Sequence, residues 1–492
     1  MPMASKLSPK LIICLILPSC YLILFHSSFP LLLPQSKTPI SPLTSCNLSD
    51  GRWILDPSRN PAYDSACPFH RNAWNCLKNQ RANMARINSW KWSPHACDLD
   101  RLDPVRFLNL MRDRSIGLVG DSLNENFLVA LLCVLRLGDA GARKWKRRGA
   151  WRGAYFPKFN VTVAYHRAVL LARYEFHCII EVAGIWKLGL CLMVIRLELD
   201  AADRVAYCFS RDLCSQLTMI ESLQVLRSYL GVPDTQTLDC MKLREKETAD
   251  ASVVNVSPWY WLSLPLGIFR WQTKQPGFSG QDGVKGIYRV DVDIPADDWA
   301  NISDFYDVLV FNTGHWWGPD KFPEETPLVF FKDGQPIHPP LDLTGGLKVV
   351  VKNMVSHIEK AFPKKTLKFW RLQSPRHFHG GDWNKNGSCL FDNPLEESEL
   401  DLWFDPANSG TNREARMVNA VIAEALKGTS IIALELSRLS EWRADGHPAV
   451  WLGKKDAVAV WGQDCMHWCL PGVPDTWVDI LAQLITYNFT PL

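Results

Sequence analysis

Ser122 and the pair Asp464 and His467 are the residues whose types and spacing best suit chemistry. A serine hydroxyl, an imidazole and a carboxylate together perform acyl transfer, in any chain order and on unrelated folds. Ser122 ends Gly120-Asp121-Ser122, inside RSIGLVGDSLNENFL from Arg114 to Leu128. Asp464 and His467 open DCMHWCLPGVPDTW, which ends at Trp477. In Asp464-x-x-His467 both side chains can lie on one turn. The carboxylate can then hold the imidazole in the tautomer that accepts a serine proton. A rival pair, Asp445 and His447, stands in EWRADGHPAVW, and spacing alone does not choose between the two.

The elements around Ser122 follow from apolar patterning. Ser115–Val119 is short, mostly apolar and bounded by charge and glycine, which predicts a buried strand. Leu123–Leu137 has apolar residues at helical spacing without Pro or Gly, which predicts a helix. Ser122 therefore sits at a strand-to-helix turn near the positive end of a helix dipole, where backbone N–H groups can stabilise an oxyanion. Its plain structural role there would be a helix N-cap. Further strands are expected at Val161–Tyr165, Val308–Phe311, Leu367–Leu372 and Ile431–Leu434, and helices at Leu347–Ala361, Arg413–Leu426 and Trp477–Leu484. Alternation of this kind predicts an α/β fold with a parallel sheet and helices on both faces. A nucleophile at the C-terminal end of a strand fits the ligand rule for open α/β sheets.

Several long segments resemble the plant trichome birefringence-like family, Golgi polysaccharide O-acetyltransferases with an SGNH/GDSL-esterase-like fold. They are CNLSDGRWILD from Cys46 to Asp56, the stretch from Cys76 through WKWSPHACDLDRLD ending at Asp103, and GDSLNENF. Toward the C-terminus follow VLVFNTGHWW ending at Trp317, LSEWRADGHP ending at Pro448, and DCMHWCLPGVPDTW. The resemblance implies a three-layer α/β/α domain with a small Cys/Trp-rich N-terminal module packed on it. It assigns Ser122 as nucleophile, His467 as base and Asp464 as its orienter, and leaves Asp445 and His447 a structural or substrate-side role. Beside the Ser122 N–H in the Gly120-Asp121 motif, it offers the Gly153 N–H and the Asn312 side chain for an oxyanion hole. The Asn312-Thr313-Gly314 order departs from the family fold's Gly-x-Asn element, and Asn312 could simply cap a turn.

The implied organisation is a cytosolic tail and signal anchor over 1–33, a Pro/Ser/Thr-rich stem over 34–44, the Cys/Trp-rich module over 45–113 and the catalytic domain over 114–492. Lys6 and Lys10 precede the apolar stretch Leu11 to Leu33, which is long enough to span a bilayer despite Pro18, His26 and Pro30. Positive charge before the span predicts a luminal body, and the resemblance implies a single-pass type II Golgi membrane enzyme. Eight cysteines (Cys46, Cys67, Cys76, Cys97, Cys133, Cys389, Cys465 and Cys469) fit four disulfides of an oxidising compartment, in any of about 105 connectivities. Cys465-x-His467-x-Cys469 is too tight for zinc spacing, and no metal site is expected. Sequons at Asn47, Asn160, Asn255, Asn301, Asn386 and Asn488 agree with luminal exposure.

Residues 177–269 break the pattern. The family-like sequence stops after Phe176 and resumes at Arg270, and the stretch between carries five cysteines. Long insertions in compact domains are uncommon. The expectation is a translated intron, with a genuine insertion as the alternative.

A net charge of +3 does not mark a nucleic-acid binder. The basic run Arg143 to Arg148 with Arg152 reads as a solvated face or as contact with an acidic polymer. Trp316 and Trp317, after His315, are the candidates for stacking on sugar rings. No bound cofactor is expected, only an acetyl donor. Three functions remain open: O-acetyltransfer to a cell-wall polysaccharide through an acetyl-serine, hydrolysis of carbohydrate acetyl esters with water as acceptor, and non-catalytic polymer binding.

Overall fold

The computed structural model describes residues 46–187, 190–197, 204–207, 267–270 and 286–490, apart from 323–325, 384, 386, 409–411 and 450–462. The expected anchor and stem lie outside them, as does most of 177–269. Among the described residues no helix is long and apolar enough to cross a membrane.

The described residues begin with β1 (Gly51–Leu55), α1 (Met84–Asn88), β2 (Trp90–Pro94) and α2 (Pro104–Leu110). β1 and β2 pair antiparallel, and loops fill most of this region. A longer run follows: β3 (Ser115–Gly120), α3 (Ser122–Arg136), β4 (Arg143–Lys144), β5 (Arg152–Phe156) and β6 (Val161–Arg167). Then come β7 (Ala172–Lys187), β8 (Leu190–Leu197), β9 (Arg204–Tyr207), β10 (Gly267–Arg270), β11 (Gly286–Pro295) and α4 (Asp297–Ala300). The C-terminal part holds β12 (Val308–Phe311), β13 (Leu328–Lys332), β14 (Gln335–Pro336), α5 (Leu343–Ala361), β15 (Leu367–Arg371), α6 (Glu397–Phe404), α7 (Glu414–Leu426), β16 (Ile432–Leu434), α8 (Ser437–Glu441) and α9 (Val473–Phe489).

One sheet carries the site. Its order is β16-β15-β12-β3-β6-β5-β4. The five strands from β16 to β6 are parallel, and β5 and β4 extend the edge antiparallel. β3 and β12 are buried at every residue, as expected of central parallel strands covered on both faces. On one face, Val350 and Met354 of α5 and Val418 and Ile422 of α7 share a core with Val119, Leu309, Phe311 and Trp370. α3 packs on β3, β5 and β6, with α9 and α2 against it. The expected parallel sheet is thus mixed at its edge. A second sheet of order β14-β13-β11-β7-β8-β9, with β10 beside β7, mixes parallel and antiparallel pairs and was not expected. Its strands β8 and β9 fall within 177–269.

In chain order the parallel strands β3, β6, β12, β15 and β16 are arranged 2-1-3-4-5. The connections leave β3 in opposite directions, to β6 on one side and β12 on the other. Open sheets bind ligands at such a switch point, outside the C-terminal strand ends. Ser122 follows β3 there, and Asn312 follows β12.

Disulfides join Cys67 to Cys133, Cys76 to Cys469 and Cys389 to Cys465, and Cys46 and Cys97 are also disulfide-bonded. Two of these bridges fasten the residues before β3 to α3 and to the loop before α9.

Candidate active site

The turn after β3 divides three tasks among three residues. Gly120 adopts φ +146°, a backbone conformation that strains side-chain-bearing residues, and a Cβ there would overlap the Asn312 carbonyl and carboxamide. Asp121 caps α3 by accepting the Leu123 N–H at 3.0 Å. It also accepts the Asn312 amide at 2.8 Å, while its own N–H donates to Asn312 Oδ1 at 3.1 Å. Asp121 therefore takes the cap that the sequence offered to Ser122, and the Ser122 hydroxyl is left for another partner. That hydroxyl donates to His467 Nε2 at 2.8 Å.

His467 is oriented from behind. Its Nδ1–H donates to Asp464 Oδ2 at 3.0 Å, and Asp464 Oδ1 accepts the His467 and Met466 backbone N–H groups at 3.0 and 3.2 Å. Burial raises the Asp464 pKa, but the attraction of His467 and these hydrogen bonds outweigh it and hold the carboxyl at about 2. An ionised carboxylate only accepts, so Nδ1 carries the proton and Nε2 presents its lone pair to Ser122.

The loop itself is pinned. Cys465 and Cys469, on either side of His467, bridge to Cys389 and Cys76, so as disulfides neither offers a thiolate. The Trp74 ring packs on the imidazole at 4.9 Å, and the Leu470 N–H donates to the Trp74 carbonyl at 2.8 Å. The rival His447 lies behind the loop: its Nδ1–H donates to the His467 carbonyl at 2.7 Å, and its Nε2 faces His377 Nδ1 at 2.7 Å. Burial pushes the His447 pKa down to about 4 and that of His377 well below its ordinary value. Asp445 is held by the Arg443 guanidinium through two bonds of 2.8 and 2.9 Å. This pair supports the loop and does not meet Ser122.

The remaining expected residues divide. Gly153 pairs with Ala164, which pairs with Gly117, so it lies two strands from β3 and below the strand ends. Two strand spacings are about 10 Å, so its N–H does not reach an oxygen bound at Ser122. Asn312 spends one amide hydrogen on Asp121 and keeps a second. Trp317 is a core residue: it stacks on Phe330 and donates to Thr313 Oγ1 at 2.9 Å, which leaves no face for a sugar. Trp316 is half-buried. His315 is buried, its Nε2 meets no partner among the described residues, and burial, with Arg376 and Arg371 nearby, pushes its pKa well below the ordinary value. Arg152, expected on a basic face, instead donates to buried Glu125 of α3 at 3.0 Å.

Sequence reasoning missed Trp74, which stands two residues before Cys76; only the Cys76–Cys469 bridge reveals its relation to His467. It also missed Glu125, which joins Arg71 and Arg152 in the first turn of α3. Among the described residues no group of His, Cys, Asp and Glu is arranged to hold a metal ion.

A family model described as a GDSL/SGNH-like acyl-esterase family found in Pmr5 and Cas1p matches residues 99–181 and 270–484. A second, the Pmr5 N-terminal domain, matches 44–98. Residues 182–269 lie outside both. The chain is 52% identical to trichome birefringence-like protein 12 of Arabidopsis thaliana over 444 residues, 90% of this chain and 86% of the relative. It is 36% identical to trichome birefringence-like protein 13 of the same plant, covering 93% of this chain and 88% of the relative. Trichome birefringence-like protein 6 is 26% identical over 90% of this chain and 71% of its own length. An esterase-type Ser/His/Asp arrangement at the switch point, a disulfide-bonded module at the N-terminus and these likenesses across nearly all of the sequence lead to one conclusion: the chain belongs to the trichome birefringence-like family, with a GDSL/SGNH-like acyl-esterase domain.

Proposed function

We propose that this protein is a polysaccharide O-acetyltransferase that works through an acetyl-serine. The observation that carries the reading is the Ser122 hydroxyl donating to His467 Nε2 at 2.8 Å, with Asp464 on the other ring nitrogen. His467 takes the Ser122 proton as Oγ attacks the acetyl carbonyl of a donor. The oxyanion forms at the N-terminus of α3, where the Ser122 N–H and the free amide hydrogen of Asn312 are the candidate donors. Its collapse expels the leaving group, which takes the proton from His467. A sugar hydroxyl then attacks the acetyl-serine, gives its proton to His467, and releases Ser122 with that same proton. The acceptor is a cell-wall polysaccharide.

Membership of the matched acyl-esterase family favours a second reading in which water is the acceptor. Incubation with an isotopically labelled acetyl donor and a panel of deacetylated wall oligosaccharides separates the two. Label in an oligosaccharide, lost in Ser122→Ala, supports transfer. Release of free acetate alone, with every acceptor present, replaces transfer by hydrolysis. Activity surviving in Ser122→Ala removes the covalent step from both readings.

A type II anchoring in the Golgi, with the catalytic domain luminal, is part of the proposal. Lys6 and Lys10 before the apolar stretch and the bridged cysteines support it.

A further inference from the structure

The proposed reaction uses the end of β3, Asn312 after β12 and the base loop, and leaves unexplained the groups at the end of β6. Arg167 closes β6 and stands opposite Gly120 in the parallel register, two residues before the nucleophile. Adjacent strands run about 5 Å apart, so the Arg167 backbone shares the row of strand ends with Ser122. Its guanidinium lies 5.5 Å from the Trp151 ring and 5.9 Å from the Trp316 ring. Trp151 precedes β5 and is 40% exposed, while Trp316 follows β12 and is half-buried.

Arg167 is not neutralised locally by any described residue. Among the described residues no ion pair or hydrogen bond engages its guanidinium, and the acid that feels it, Asp298, does so at longer range. Nearby positive charge has the same character. Lys146 sits 5.7 Å from the Trp151 ring, and Arg143, Lys144, Arg147 and Arg148 are exposed. Arg152 differs, since Glu125 holds it.

These features select one chemistry. An unpaired guanidinium is matched by a planar carboxylate through two parallel hydrogen bonds. Flat aromatic faces suit the apolar faces of sugar rings, which a phosphate lacks. We propose that Arg167, Trp151 and Trp316 form an acceptor subsite for a uronate residue, which makes the acceptor an acidic polysaccharide. The proposal rests on the acyl-transfer reading for what happens at Ser122, but binding at the subsite does not require transfer.

The test measures binding without turnover. Ser122→Ala protein is titrated calorimetrically with a hexameric oligogalacturonide and with the same oligosaccharide after carboxyl reduction. The acidic chain should bind about tenfold more tightly at low ionic strength, and added salt should shrink the difference. Arg167→Ala in the same background should abolish the preference, Arg167→Lys should keep part of it, and unchanged melting temperatures should show both variants folded. Trp151→Ala should weaken both ligands alike, because a ring face does not read charge. Equal affinity for the two chains overturns the proposal, as does a preference that survives Arg167→Ala. Arg167-dependent binding of inorganic pyrophosphate without binding of the oligogalacturonide would assign the arginine to a phosphorylated donor, and also overturns it. Arg167-dependent binding of the oligogalacturonide by a parent protein that transfers no acetyl keeps the subsite and removes the acyl-transfer reading instead.

Discussion

Ser122 and His467 are held by different means. Ser122 is placed by its own neighbourhood: a buried parallel strand, a glycine that lets Asn312 approach, and an aspartate that caps the helix. The bridge on its helix, Cys67–Cys133, is remote, because Cys133 lies about 16 Å along α3 from Ser122. His467 sits in a loop with little regular structure. It is fixed by two flanking disulfides, by the Trp74 ring and by a buried histidine on its carbonyl. A short loop does not hold an imidazole in one orientation against its conformational entropy, so distant parts of the chain must. The N-terminal module therefore acts as the rear wall of His467.

The largest effect should fall on both arms at once. Ser122→Ala and His467→Ala should each lower the transfer rate by on the order of 10⁴–10⁶, with the double variant little worse, because the pair acts as a unit. Asp464→Asn should cost on the order of 10⁴ by favouring the wrong tautomer. Single-turnover rates measure all three. If the losses in the double variant multiply, the two arms are not parts of one site.

Next come the bridges, which should separate the arms. Removing Cys76–Cys469 by paired serine substitutions should cost about 5 kcal/mol of stability and also depress kcat, since Trp74 and the loop lose their tether. Removing Cys67–Cys133 should lower stability while sparing kcat in the molecules that remain folded. Denaturant unfolding alongside kcat reads both. Equal kcat losses in the two variants would mean that the bridge beside the base has no special role.

Gly120→Ala should cost about 4 kcal/mol, combining the positive φ with overlap on Asn312. Chemical denaturation checks this. A stability loss below a quarter of that would show that the turn relaxes and that Ser122 is only loosely held.

The smallest expected effect is a pH dependence confined to the base arm. α9, which follows the loop, buries Asp479, whose Oδ1 accepts the Leu102 N–H at 2.8 Å. Burial raises its pKa to about 7. A carboxyl raised in the folded state contributes stability that is fully present below its unfolded pKa, near 4, and is lost as pH rises to about 7. Relative to the parent, Asp479→Asn should therefore gain about 3 kcal/mol between pH 4 and pH 7. Denaturation curves of both proteins across that range read it. A constant difference would place an ionised Asp479 in the fold throughout.

Much of the catalytic sheet was legible because its code is local. All five expected strands exist and make up the parallel part of the sheet, with ends shifted by two residues at most, and the four expected helices are present. A buried strand needs only a short apolar run, and a helix only its spacing. The second sheet escaped this reading because it depends on long-range strand pairing. Trp317 looked like a sugar platform in sequence, but an aromatic beside the site serves the core whenever its ring fits there, as against Phe330. Gly153 had the right residue type and the wrong register.

By itself the sequence determined the strand–turn–helix around Ser122, the family, and which eight cysteines lie in structured regions to be bridged. Each of these is written in neighbouring residues or in a long stretch of similarity. The tertiary structure alone decided which Asp/His pair meets the serine on geometry, which cysteines join, that Trp74 backs the imidazole, and that Arg152 is spent on Glu125 while Arg167 lies over two tryptophan rings. Those outcomes depend on strand order and on cross-links such as Cys76–Cys469, whose partners are 393 residues apart, a distance over which no local period carries information.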